Sequence, residues 1–333
     1  MLTKILENLY AGRTLNTSDM KTIFDEIMTG KMDDVVISSI LTVLKIRGET
    51  AEEISGASKA ILQQATPFPR PDYHFGDIVG TGGDPYNTIN VSSMSAIVAG
   101  GCGAKVCKNG NRKVTSLSGS ADVLSALGLD LDASPEQSRK LLDDANVCFL
   151  MAPNYHSSIR HVMPVRQTLK MRTIFNTLGP LLNPARPDYI VNGVYDRDML
   201  PTIAFAHKYL GLKAGTIVHG SGMDEVCLHG VTDVVELKTN GDIDAYELSP
   251  SDFGLDEQSI ESIEGGDIAY NAQIARTVFN ATAKIQHENI VSANVALLLR
   301  TAGIQQDLKK GVHMAKEAIH NGSAQKVLEG IQK

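Results

Sequence analysis

Residues 76–93 read GDIVGTGGDPYNTINVSS, setting Gly80, Gly82, Gly83 and Asp84 just after a short apolar pair. Glycines lack a Cβ, so their backbone N–H groups can converge on an anion, and Asp84 adds a carboxylate for a sugar hydroxyl or a metal ion. The following NVSSMSAIVAG reads as a helix whose first turn holds Asn90, Ser92 and Ser93. A helix N-terminus with small hydroxyl donors is a phosphate site in its own right. Spacing argues against two nucleotide fingerprints. Gly80 and Gly82 fit G-x-G-x-x-G, but its third position is Pro85, and the Gly-Lys-Ser/Thr of a P-loop is absent. A solvent turn with a serine cap remains the plainer alternative.

A second loop, KVCKNGNRKVTSLSGS over 105–120, carries Lys105, Lys108, Arg112 and Lys113 with no acid. Thr115, Ser116, Ser118, Gly119 and Ser120 then lead into another helix. Such a charge run is often only a solvated face. Both loops, however, follow predicted strands, so they should meet at the carboxyl edge of one sheet, where a ligand with two phosphates would use both. A third feature is Asp224-Glu225, just after a strand predicted to end at His219. Adjacent acids are common on surfaces, but after a strand they suit Mg²⁺, which takes one or two protein carboxylates plus substrate phosphates.

The elements around these residues divide in texture. The first 65 or so residues predict helices only, with apolar stripes at Ile5, Leu6, Leu9, then Ile23, Phe24, Ile27 before Gly30, then Val36, Ile37, Ile40, Leu41, Leu44 before Gly48. A fourth helix opens on the capping-box pair Thr50 and Glu53. Pro67, Pro69 and Pro71 form a stiff connector. Beyond it, short apolar runs (Ile78-Val79, 105–107, Val147–Met151, 189–194, 215–219) alternate with helices such as 93–100, 119–127 and 136–145. The last opens on Ser134, Pro135 and Gln137. Asn240-Gly241 marks a hairpin turn. The expectation is an α/β protein: an all-helical domain over 1–70, joined by helices around 160–185, and a larger domain over 71–333 with a mainly parallel central sheet. The glycine loop and the proline connector suggest a hinge between them.

The 333 residues are 43% hydrophobic and carry a net charge of −7, which counts against a general nucleic-acid or membrane-surface binder. An anionic ligand must then be held by local positive charge or a metal. The N-terminal MLTKILENLYAG reads as no cleavable signal, and no window approaches a membrane span. Cys102, Cys107, Cys148 and Cys227 form no CxxC pair and are expected to be buried, reduced thiols of a cytoplasmic protein.

Together these motifs resemble the anthranilate phosphoribosyltransferase family: GTGGD through Ser92, the Lys108–Arg112 loop followed by SGSAD, RTIFNTLGPLLNP over 172–184, and the Asp-Glu pair. The resemblance covers nearly the whole chain. It implies a nucleoside phosphorylase/phosphoribosyltransferase-like fold and transfer of phosphoribose from phosphoribosyl pyrophosphate to anthranilate. It assigns Gly80, Gly83, Asp84, Thr88, Asn90, Val91, Ser92 and Ser93 to the phosphoribosyl pyrophosphate. Lys108, Asn109, Gly110, Asn111, Arg112, Lys113, Val114, Thr115, Ser116 and Ser120 would close over the same ligand. Gly80, Asn111 and Arg166 would meet anthranilate, Ser92 one Mg²⁺, and Asp224 with Glu225 a second.

The resemblance also implies a homodimer through the helical domain, for which Ile37, Ile40 and Leu44 look surplus to one small core. Two positions depart from the family pattern: Asn109 stands where histidine is usual and Pro85 where glycine is usual. An arylamine keeps its lone pair at neutral pH, so no strong base is required, and no catalytic dyad is evident among the nine histidines. A pyrimidine nucleoside phosphorylase shares the architecture but would not need Asp224-Glu225. A non-catalytic nucleic-acid-binding relative would lack GTGGD and be basic.

Overall fold

The computed structural model describes residues 1–111 and 119–333. Helices α1 (Leu2–Tyr10), α2 (Thr17–Met28), α3 (Asp34–Arg47) and α4 (Ala51–Gln63) open the chain. Asn16 and Asp33 cap α2 and α3 through their side chains, and Thr50 with Glu53 forms the expected capping box on α4. The predicted apolar stripes face inward, and their core continues through Val162, Val165, Ile174, Phe175 and Leu178. Ile37, Ile40 and Leu44 lie wholly within this core. They are therefore not available for a dimer contact, contrary to the expectation.

Seven strands form one sheet: β1 (Gly76–Gly80), β2 (Val106–Gly110), β3 (Val147–Met151), β4 (Tyr189–Gly193), β5 (Ala214–Gly220), β6 (Thr232–Leu237) and β7 (Ile243–Leu248). Their order is β3-β2-β1-β4-β5-β6-β7. The first five run parallel, and β5–β6 and β6–β7 pair antiparallel. The last hairpin turns at Asn240-Gly241, where Gly241 takes φ +87°. The fold is thus the expected helical bundle plus an α/β layer with a mainly parallel sheet.

Helices α5 (Val91–Gly101), α6 (Ser120–Ala126) and α7 (Pro135–Ala145) alternate with the first strands. The short α8 (Ala152–Tyr155), α9 (Met163–Leu169) and α10 (Phe175–Leu178) lead back to the bundle, and α11 (Leu200–Leu210) packs on α4. Helices α12 (Ile268–Phe279), α13 (Ile285–Thr301), α14 (Leu308–His320) and α15 (Ser323–Ile331) complete the chain. Helix α13 is buried along nearly its whole length and packs against α5. Among the described residues no helix is long and apolar enough to cross a membrane. All four cysteines are free; three are buried and Cys102 is half-buried.

Chain order places the reversal between β1 and β4. From β1 the chain moves outward to β2 and β3, then returns to β4 on the other side. In parallel α/β sheets ligands bind at the carboxyl ends of strands flanking such a switch point. Here those ends are Gly80 and Gly193, paired in register.

Glu53 is fully buried, with Oε1 accepting from Leu15 N at 2.8 Å and Oε2 from Thr50 N at 2.9 Å, and it pairs with Arg47. Breaking a buried pair by removing one partner leaves the other uncompensated. Glu53→Ala should lower stability by about 3 kcal/mol, read as a reduced urea midpoint with an unchanged slope. A midpoint like wild type would show that Glu53 acts only as a surface cap.

Candidate active site

Strand β5 ends at Gly220, and a two-residue turn follows. Ser221 (φ 47°) and Gly222 (φ +100°) both take left-handed backbone, and Gly220 and Met223 exchange N–H···O bonds of 2.9 Å. This reversal carries Asp224 and Glu225 back over the carboxyl edge. Asn294 of α13 fixes the next residue, its Oδ1 accepting from Val226 N at 3.0 Å and its Nδ2 donating to Val226 O at 3.1 Å. Asp224 then lies on the switch point itself. A Cβ at Gly80 would collide with its carboxylate, and one at Gly193 with its backbone oxygen. Its Oδ2 accepts from Gly82 N at 2.6 Å.

Negative charge gathers around it. Loss of surrounding water, and then the Asp224 charge, push Asp84 up to about 7. The same two causes push Glu225 up to about 8, opposed by Lys108 and by the Ser92 backbone N–H. Lys108, only 3% exposed, donates from Nζ to Ile78 O at 2.6 Å. Burial lowers its pKa against the pull of Asp77, Glu225 and Asp224. Asp77 is fully buried and accepts from Asn109 N at 3.2 Å and Asn183 Nδ2 at 2.8 Å.

One buried lysine thus faces several acids. Their oxygens are hard ligands, yet among the described residues no group of three or more His, Cys, Asp or Glu side chains is placed to hold an ion alone. That donor set fits Mg²⁺, which completes its octahedron with water and substrate phosphate.

The other expected residues fall as follows. In the glycine loop, Gly82 (φ +70°) and Gly83 (φ +85°) adopt left-handed backbone. Two of the loop's N–H groups already face the protein, Gly82 N on Asp224 and Thr81 N on Gly193 O at 3.0 Å, so the expected anion nest is smaller than the glycines suggest. Thr88 bridges to Glu264. Asn90 precedes α5 as its N-cap, outside the first turn, and its Oδ1 accepts from Asn271 Nδ2 at 3.3 Å instead of capping. Val91 turns its side chain into the core, and its N–H is bonded to Ile89 O. Ser92 is half-buried, whereas Ser93 is buried with its Oγ unpartnered. That orphan hydroxyl at an uncapped helix start suits an incoming oxyanion.

Asn109 is buried, with Nδ2 donating to Gly179 O at 3.2 Å and Oδ1 unpartnered. Gly110 ends β2, Asn111 is exposed and Ser120 opens α6. Arg112, Lys113, Val114, Thr115 and Ser116 lie outside the described residues. Lys105 does not belong to this cluster: it precedes β2 at the far edge, donating to Leu142 O and Asp143 O. Arg166 stands apart on α9, its guanidinium 5.1 Å from the Phe175 ring centroid.

Sequence reasoning missed Asp77, Asn183, Asn294 and Arg172 as supports. Only Asp77 gave a usable signal, an acid inside an apolar strand. Two surface cavities of about 400 and 680 Å³ open elsewhere, beside Glu264–Tyr270 and beside Tyr246 and Arg300, and neither includes the clustered acids.

This arrangement of helical bundle, parallel sheet and acidic switch point is that of a two-domain glycosyltransferase. Residues 3–65 match the model of the glycosyl transferase family, helical bundle domain, and residues 72–325 that of the glycosyl transferase family, a/b domain. An anthranilate phosphoribosyltransferase of Tolumonas auensis is 49% identical over 97% of this chain and 96% of its own length. One of Vibrio parahaemolyticus is 48% identical over 98% of both. The crystal structure of the Thermus thermophilus enzyme superposes with a TM-score of 0.92 at 36% identity, covering 98% of this chain and 97% of its own. That of the Saccharomyces cerevisiae enzyme in complex with phosphoribosyl pyrophosphate and Mg superposes at 0.90 with 32% identity, covering 99% and 96%. The chain belongs to the anthranilate phosphoribosyltransferase family.

The Glu225 shift has a sign that can be tested. A carboxyl held above its ordinary value keeps its proton in the folded protein while the unfolded chain loses it. Its contribution to stability therefore falls as pH rises from about 4.5 towards about 8. In Mg²⁺-free buffer, Glu225→Gln should gain melting temperature relative to wild type as pH rises from ~6 to ~8. A pH-independent difference would refute a raised Glu225.

Proposed function

We propose that the cleft at the β1–β4 switch point transfers the phosphoribosyl group of 5-phosphoribosyl 1-pyrophosphate to the amine of anthranilate. The products are N-(5-phosphoribosyl)anthranilate and pyrophosphate, a step of tryptophan biosynthesis. The observation that carries this reading is the set of acids Asp84, Asp224 and Glu225 beside Lys108 and the uncapped start of α5. Alone its desolvated carboxyls hold protons; a cation that displaces those protons would bring the positive charge that a pyrophosphate needs. The yeast relative holds that ligand pair, phosphoribosyl pyrophosphate with Mg.

Asp224 and Glu225 would hold one Mg²⁺ and the Ser92 hydroxyl a second. When bound, the metal neutralises charge developing on the departing pyrophosphate. Ser93 Oγ and Asn90, at the start of α5, receive phosphate oxygens, while Gly80, Gly83, Asp84 and Thr88 line the ribose side. Lys108 to Asn111 and Ser120 would close the other side, and Arg112, Lys113, Val114, Thr115 and Ser116, outside the described residues, would bind the same ligand. Arg166 binds the anthranilate carboxylate, for which a planar guanidinium on a partly buried ring face is suited. Asn111 and Gly80 flank the amine. The amine attacks C1 of the ribose with its own lone pair, so the chain's task is positioning and charge stabilisation.

The two bodies are residues 1–70, joined by the segment around 160–185, and residues 71–333; closure between them would exclude water. The protein would act in the cytoplasm. A homodimer through the helical part is supported by Val35 and Ile46 on α3, exposed at 77% and 82%, and by Tyr10 on α1. Light scattering should read twice the chain mass; a monomer at micromolar concentration would sink the dimer.

Mixing the protein with Mg²⁺ and both substrates should quench anthranilate fluorescence, and no loss beside an active control would refute the reaction. Arg166→Ala should raise KM for anthranilate roughly tenfold or more with little change for the other substrate. Asp224→Ala with Glu225→Ala should lower turnover by about 10²–10³ and abolish its Mg²⁺ dependence. Unchanged Mg²⁺ dependence would remove the metal assignment.

A further inference from the structure

Arg172 lies between α9 and α10, in the segment that returns the chain to the helical core. Its Nη2 donates to Gly83 O, and its guanidinium sits 4.1 Å from the Tyr195 ring centroid. The fit is close: a Cβ on Gly83 would collide with the guanidinium. Tyr195 also reaches the glycine loop, its N–H donating to Thr81 Oγ1 at 3.2 Å, while Thr81 N donates to Gly193 O. The loop is therefore gripped at Thr81 and Gly83, on either side of Gly82, whose N–H meets Asp224.

At its other end the Arg172 segment is anchored in the helical core. Thr173 N donates to Asn176 Oδ1 at 2.9 Å, Ile174 is wholly buried, and Phe175 carries Arg166 over its ring. One short segment thus carries both Phe175, on whose ring Arg166 rests, and Arg172, which holds the loop beside Asp84.

We propose that Arg172 is a positioning residue that latches the glycine loop to the α9–α10 segment, setting the phosphoribosyl pyrophosphate and anthranilate sides of the cleft together. The proposal rests on the transfer reading above. A guanidinium both donates to the carbonyl and stacks as a plane; a lysine ammonium retains only the first. A methionine retains neither.

The test compares wild type with Arg172→Met, Arg172→Lys, Tyr195→Leu and the Met/Leu double variant. KM for each substrate and kcat are measured, with thermal melts as the folding control. Arg172→Met should raise KM for phosphoribosyl pyrophosphate about tenfold. Arg172→Lys should recover part of that loss. The double variant should be no worse than Arg172→Met alone, because both changes break one unit. A folded Arg172→Met enzyme with KM within about twofold of wild type, or additive losses in the double variant, would overturn the latch. Calorimetric binding of phosphoribosyl pyrophosphate with Mg²⁺ is run on the same proteins. If wild type makes no product the transfer reading fails, and the latch is then judged on that binding alone, where Arg172→Met must weaken it.

Discussion

Asp224 reaches β1 and β4 because neither Gly80 nor Gly193 has a side chain to exclude it. Those two glycines sit opposite one another at the point where the chain order of the sheet reverses, and the tight turn at Ser221-Gly222 delivers the acid there. The consequence is electrostatic. Like charges a few ångströms apart in a poorly hydrated cleft repel by several kcal/mol, far more than in water. The protein answers locally with Gly82 N–H on Asp224, Ser92 N–H on Glu225 and the buried Lys108. Desolvation answers the rest by holding protons on Asp84 up to about pH 7 and on Glu225 up to about pH 8, so a cation that takes these oxygens must displace protons. Acids beside the phosphate site proposed above fit that coupling, the cation supplying the charge that meets the anion.

Holding charges in a dry place demands stiff support. Helix α5 is almost wholly buried and packs against α13, which fixes where its first turn lies. Asn294 uses both ends of its amide to fix the strand-to-acid turn at Val226. Beneath Lys108, Asp77 and Asn183 join the ends of β1 and β2 to the segment leading from the helical bundle, with Asn183 Nδ2 also donating to Cys107 O at 2.7 Å. Each unpaired polar group in such a buried network costs about 1–3 kcal/mol. Among the buried oxygens without a partner, those of Asp77, Ser93 and Asn109 belong to residues near Lys108 and the start of α5.

The fold was largely legible because its signals are local. Caps at Thr50 and Ser134, stripes at helical spacing and the Asn240-Gly241 turn each act within a few residues, and each appears where the spacing predicts. Meaning that depends on distant chain was less legible. Ile37, Ile40 and Leu44 read as surplus apolar surface, yet α1 and α9 pack on their helix and the core closes over them. Composition shows that a face is apolar but not what meets it. Lys105 read as part of a basic loop, but three strand residues at about 3.3 Å each set it some 10 Å from Lys108, at the sheet's other edge. Arg172 and Asn183 lay in a quoted motif, but no pattern within it tells which side chain crosses to Gly83 and which to Asp77. Two of the four charges of that run, Arg112 and Lys113, lie outside the described residues.

The two departures from the family pattern fit this framework differently. Asn109 spans the cleft floor, its backbone N–H on Asp77 and its Nδ2 on the Gly179 carbonyl, so the amide ties β2 to the α10 end of the linking segment. That link asks only for a donor of short reach, which asparagine supplies. Pro85 has no N–H to offer an anion, but the next residue does: the Tyr86 backbone N–H favours the Asp84 carboxylate. An aspartate bonded to the amide two residues on is a turn that proline at the middle position stiffens. Tyr86 is in turn held edge-on to His229, with ring centroids 5.8 Å apart. The loop therefore exchanges one possible donor for a fixed direction of its acid. Asp84 faces Asp224, so that direction keeps its carboxyl among the clustered acids, on the side proposed above for the cation, and away from the start of α5.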